Sequence, residues 1–134
     1  MAGFTPNEGE HLIANLIYKN ADVDRGTGLQ LGLLTNTIGS LDETSVLADV
    51  TEPTGGSYAR KTLTDGSWTV TNDNAVYAQQ TFTATGGAYS ADVTGYFVAT
   101  TGTAPKLLHV EFDSAARTMV EGADYNVDLS NTVA

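Results

Sequence analysis

Between Tyr58 and Phe112 the chain alternates short runs of Thr, Val, Tyr and Phe with Gly, Asp and Asn, and that alternation restricts it to a β architecture. The runs cover residues 58–63, 68–71, 79–83, 93–100 and 107–112. β-Branched and aromatic side chains suit a pleated, half-buried surface. The turn-forming residues between them cut that surface into separate strands. Asp65-Gly66 is a tight-turn signal that predicts a hairpin between residues 58–64 and 68–72. Asn72-Asp73-Asn74 and Gly86-Gly87 predict further turns, and residues 101–105 predict a hairpin between the last two runs. Gly95, inside a strand pattern, predicts a bulge or a close backbone approach.

The flanks add to this pattern. Leu29, Leu31 and Leu33 alternate along a strand, and Leu34 predicts burial on the second face as well. Val46, Ala48 and Val50 predict a short strand over residues 45–50. Tyr125, Val127 and Leu129 alternate in a last strand. Before all of these, Thr5-Pro6-Asn7-Glu8 has the form of a helix start, with Thr5 as cap, Pro6 in the first turn and Glu8 closing a capping box. Leu12, Ile13, Leu16 and Ile17 then recur at helical spacing, so a helix is expected over residues 6–19, stopped by Asn20. The expected fold is mainly β: one domain, a jelly-roll-like β-sandwich of about eight short antiparallel strands, with one N-terminal amphipathic helix. A chain of 134 residues is long enough for one core without covalent staples.

Charge narrows the function classes. Sixteen acidic residues against six basic give a net charge of −10. Phosphate binding needs clustered Lys and Arg, and the only adjacent basic pair, Arg60-Lys61, falls inside a strand pattern. No nucleic-acid partner is expected. No apolar run reaches the ~18 residues of a membrane span, and the start Met1-Ala2-Gly3-Phe4 has no signal-peptide form. No membrane partner is expected either. The acidic surface serves solubility, or complements a basic partner.

Motifs for chemistry are absent. There is no Cys, and His11 and His109 lack further ligands at metal-binding spacing, so no metal or cofactor is expected. Asp22 and Asp24, followed by Gly26 and Gly28, open like a calcium loop, but the remaining oxygen ligands do not follow. Ser57, Ser67 and Ser90 stand in no nucleophile-elbow context. No catalytic residue is assigned, and the chain is expected not to be an enzyme. Tyr58, Trp68, Tyr77, Tyr89 and Tyr96 offer stacking surfaces for a sugar. Packing in the core and between strands accounts for them more simply.

The stretch Glu52-Pro53-Thr54-Gly55, Tyr58-Ala59-Arg60-Lys61-Thr62-Leu63, Trp68, Tyr77-Ala78-Gln79-Gln80-Thr81-Phe82-Thr83-Ala84 and Thr94-Gly95-Tyr96-Phe97-Val98-Ala99-Thr100 resembles small virion structural proteins of tailed phages, and the Thr-Pro-Asn-Glu-Gly helix start is similar to theirs. The resemblance covers most of the chain and is one of packing and turns. It implies a non-enzymatic β-sandwich located in the virion, with the capsid surface preferred. In that role the chain is a capsid decoration (cement) protein whose partners are the major capsid protein and further copies of itself, as a trimer or dimer. A tail fibre or tail adaptor subunit, and a carbohydrate-binding module, are the alternatives. The expected contact residues are Leu12, Ile13, Leu16 and Ile17 on the helix, with Tyr58 and Tyr96 as aromatic anchors.

Overall fold

The computed structural model describes residues 3–19 and 25–132. Over these residues the chain is mainly β, with seven strands in two antiparallel sheets and one N-terminal helix. The helix α1 spans Asn7–Lys19. The strands are β1 (Leu29–Leu34), β2 (Lys61–Leu63), β3 (Thr69–Thr71), β4 (Asn74–Thr83), β5 (Val93–Thr100), β6 (Leu107–Arg117) and β7 (Asp124–Thr132). The larger sheet has the order β2-β1-β5-β6 and the smaller β3-β4-β7.

The larger sheet is buried on both faces. Leu31, Leu33, Val93, Tyr96 and Val98 point inward and share one cluster with Phe82, Tyr125, Val127 and Leu129 of the smaller sheet. Leu34, Phe97, Ala99, Leu107, Val110 and Phe112 form a second cluster, covered by Phe4, Ile38, Leu47 and Val50. Every residue of β5 is therefore buried, as Leu34 led one to expect for its neighbour β1. The smaller sheet has one wet face, and β7 alternates exposed and buried residues along its whole length. β5–β6 is the hairpin that residues 101–105 announced, and the turn expected at Asn72-Asp73-Asn74 joins β3 to β4 as a second hairpin, with Asn72 in a left-handed conformation at φ 55°. The ladder between β5 and β6 shifts register beside Gly95, where an added Cβ would run into the Glu111 carbonyl oxygen.

Two expectations are overturned. Asp65-Gly66 does not close a hairpin. A 3-10 turn over Asp65–Ser67 instead carries the chain from one sheet to the other, so β2 pairs with β1 and β3 pairs with β4. Burial explains the choice: Leu63 is fully buried beside β1, whereas all three residues of β3 are exposed. Residues 45–50 are not a strand either. Leu47–Asp49 form a 3-10 turn that the Asp49 carboxylate closes by accepting from the Val46 N–H, and the expected eighth strand is lost with it. Asn20, expected to stop α1, and the Asp22/Asp24 pair lie outside the described residues.

Glu8 plays a different part from the one its spacing suggests. Its carboxylate accepts hydrogen bonds from the backbone N–H groups of Leu47 and Leu107. It thereby ties the first turn of α1 to the outer loop and to β6. Gly9 makes the approach possible, because a Cβ there would come within 2.9 Å of the Leu107 carbonyl oxygen. Glu8→Ala strands two half-buried amides and is expected to cost about 2 kcal/mol, with Glu8→Gln keeping an acceptor and losing less. Urea denaturation of the two variants checks this, and equal losses would mean that the acceptor does not matter.

Candidate functional site

The expected contact residues are not one surface. Leu12 is buried against the core at 6 % exposure and Tyr96 at 4 %, so neither has area to offer a partner. Tyr58 is half-buried: its ring stacks on Phe82 with centroids 5.9 Å apart and meets Tyr89 edge-on at 5.7 Å. Ile13 and Leu16 are also half-buried. Ile17 alone of the six is exposed, at 74 %, and Tyr18 beside it reaches 87 %. An apolar stripe that begins in the core thus runs out into solvent at the C-terminal end of α1. Sequence periodicity shows the stripe but not where the sheet beneath it ends. Tyr18 was missed because it falls off the stripe.

The aromatics pack rather than line an outer face. Trp68 meets Tyr77 edge-on at 5.0 Å, and the Tyr77 hydroxyl accepts from the Thr64 N–H. The Tyr58 hydroxyl accepts from the Leu33 N–H at 2.9 Å and donates to Glu52 at 2.7 Å. Arg60 grips the same carboxylate with two nitrogens, at 3.0 and 2.8 Å, and lies over the Phe97 ring. Burial raises the Glu52 carboxyl, but the bonds from Arg60 and Tyr58 outweigh it and leave the group below its ordinary range. Burial, then the bond to Glu52, pushes the Tyr58 phenol up, so it stays protonated. This network fastens the loop after β1 to the outer face of the sheet.

A second polar group lies where β6 meets β7. Burial, then the bond to Asp113, raises the Tyr125 phenol, and that hydroxyl donates to the Asp113 carboxylate. Glu111 is also raised, by burial first. His109 lies 3.6 Å from Glu111, but burial holds the imidazole down to about 4, so at neutral pH the two are not an ion pair. Among the described residues no three His, Asp or Glu side chains come together as metal ligands.

An apolar opening lies at one end of the two sheets, beside α1. It is a cleft of about 250 Å³. Ile13 of α1, Leu29 at the start of β1, Val70 of β3 and Leu108 of β6 give it apolar walls, and Trp68, His109 and Asn131 also line it. A bulge in β6 helps to build it. His109 stands opposite Val98 and Leu107 opposite Ala99, which leaves Leu108 as the extra residue. Both Leu108 and His109 consequently face the cleft. No helix among the described residues is long and apolar enough to cross a membrane.

Fold and site together define a small two-sheet β scaffold with one exposed helix end and one apolar cleft. No known family model matches the chain, and no curated protein matches it significantly.

Proposed function

We propose that this chain is a non-enzymatic structural subunit of a phage virion, a decoration protein that seats on the outside of an assembled capsid and braces it. The observation that carries the reading is the helix end: Ile17 and Tyr18, 74 % and 87 % exposed, stand on a helix whose first turn is fastened to β6. Large apolar side chains held rigidly in solvent are the usual anchors of protein interfaces. The net charge of −10 keeps the free subunit soluble and steers it to a basic partner. The fold fits the role as a jelly-roll-like sandwich, the two sheets sharing one core cluster. Several copies joined as a trimer or dimer, each making a modest contact, hold by avidity. The sequence resemblance to virion proteins of tailed phages supports the same reading.

Purified capsids with and without the protein test it. Wild-type chain is expected to remain on capsids through sedimentation and to raise their heat resistance. The double variant Ile17→Asp/Tyr18→Asp is expected to fold normally and to lose retention at least tenfold. Wild type that neither binds capsids nor changes their melting would overturn the proposal. Labelling confined to tails in electron micrographs would replace it with the tail-subunit reading.

A further inference from the structure

The two sheets end in four edge strands, β2 and β6 in the larger and β3 and β7 in the smaller. An edge strand presents a row of unpaired amides, and folds that stay apart from other chains keep such rows short, bent or covered. Three of the four edges follow that rule. β2 and β3 have three residues each. β6 begins under α1, where Gly9 lies against Leu107 and Leu108, and Phe4 bonds both main-chain groups of Val110 at 2.8 and 2.9 Å. Its second half leaves the ladder, with residues 113–116 opposite Thr94 alone. β7 is the exception. It runs for nine residues with no Gly, Pro or Lys, and pairs with β4 on one side only. Among the described residues no other strand or helix runs beside it, and no main-chain bond reaches its second edge.

We propose that the free edge of β7 takes up an extended segment of a basic partner protein as an added strand, with Lys or Arg on the wet face and apolar residues between them. β7 alternates Tyr125, Val127 and Leu129 on its buried face with Asp124, Asn126 and Asp128 on its exposed one, and a strand laid beside it must alternate in step. The two carboxylates set the charge. Thr83 donates its hydroxyl to Asp124 at 2.6 Å and Gln79 its amide to Asp128 at 2.8 Å, so both are held on the exposed face, about 13 Å apart along the strand. Neither has an ion-pair partner among the described residues. Basic residues four positions apart on the added strand meet both. The larger sheet leaves room, because the gap between β6 and β7 is open at Asn131 and Thr132 and again at Tyr125 and Asn126. Main-chain bonds supply the affinity, and the side-chain pattern selects the partner. A second copy of this chain is disfavoured there. Pairing β7 with itself gathers the aspartates of both copies on one face, between chains that each carry −10. The inference stands apart from the capsid reading, since β7 and the end of α1 share no residue.

The probe is the peptide Thr-Val-Lys-Val-Thr-Val-Lys-Val-Thr, blocked at both ends and titrated into the full chain at physiological ionic strength, where distant charges are screened. Saturable shifts are expected at the amides of β7, with hydrogen exchange slowed at least tenfold at every second residue. The same peptide with Glu in place of Lys is expected to bind at least fivefold more weakly. Asp124→Asn/Asp128→Asn keeps the oxygens to which Thr83 and Gln79 donate, and should remove most of that preference. N-methylation of the Lys peptide, at its odd or at its even positions, tests the main-chain pairing. Only one set of its amides faces β7, so one version should bind like the parent and the other should not. No saturable change at β7 overturns the proposal. So does equal binding by the two methylated versions or by the Lys and Glu peptides, or a preference that survives in the double variant. Shifts of the same amides that grow with protein concentration alone would overturn it in favour of a second copy as the occupant.

Discussion

Phe97→Ala is expected to lower the stability of the chain by about 3–5 kcal/mol, a large share of the 5–15 kcal/mol that holds an ordinary domain together. Phe97 is fully buried at the centre of the outer cluster. It faces Gly32 across the β1–β5 ladder, and its ring occupies the space that a side chain on Gly32 would fill. Above it lies the Arg60 guanidinium, 5.1 Å from the ring centre. Removing the ring leaves a void over Gly32, between the outer face of the sheet and the residues that cover it. It also takes the apolar floor from under Arg60, so the Glu52–Arg60–Tyr58 network should loosen with it. Urea denaturation measures the loss, and amide exchange at Leu33, which donates to Tyr58, should quicken. Phe97→Leu keeps most of the volume and should cost less than about 1.5 kcal/mol. A loss below 1 kcal/mol for Phe97→Ala would show that the outer cluster is not a true core.

The acid sensitivity of the fold should trace largely to His109. Burial lowers its imidazole from 6.5 to about 4. Below pH 6.5 the unfolded chain takes up a proton that the folded chain refuses, so stability falls until the folded group also titrates near pH 4. The stabilisation present above pH 6.5 and lost across that window is roughly 3 kcal/mol. Neighbouring groups modify the slope. Glu111, raised by burial, takes its proton in the folded state first and so offsets part of the loss near the bottom of the window. Glu52, held low, adds a loss of its own at still lower pH. Tyr96, whose ring lies 5.9 Å from the imidazole, stays protonated throughout. His109→Leu removes only the histidine contribution. Its stability measured from pH 7.5 to 4 should fall less than that of wild type by about the same 3 kcal/mol. Parallel curves for the two chains would place the acid sensitivity elsewhere.

Much of the architecture was legible in local pattern. The alternation of Tyr125, Val127 and Leu129 is β7, and the spacing of Leu12, Ile13, Leu16 and Ile17 is α1. These are signals in which each residue's neighbours in sequence are also its neighbours on one face. The reading of residues 45–50 failed because a short alternating run carries too few positions to outweigh the side-chain bond from Asp49 that bends it. The hairpin at Asp65-Gly66 failed because a turn dipeptide says that the chain bends, not which strand it will lie beside. The core need of Leu63 settled that.

The candidate contact residues show the same limit. Periodicity placed Leu12 and Ile17 on one stripe, and the end of the sheet beneath α1 made one a core residue and left the other in solvent. The cleft had no trace in the sequence. Trp68, His109 and Asn131 belong to no motif, and a β-bulge together with the turn that carries the chain from β2 to β3 brought them together. By itself the sequence determined the β character, the N-terminal helix, most of the turns and the acidic surface, because each is written in neighbouring residues. Strand pairing, the double burial of the larger sheet, the exposed helix end and the lining of the cleft depend on residues far apart in the chain, and only the tertiary structure decided them.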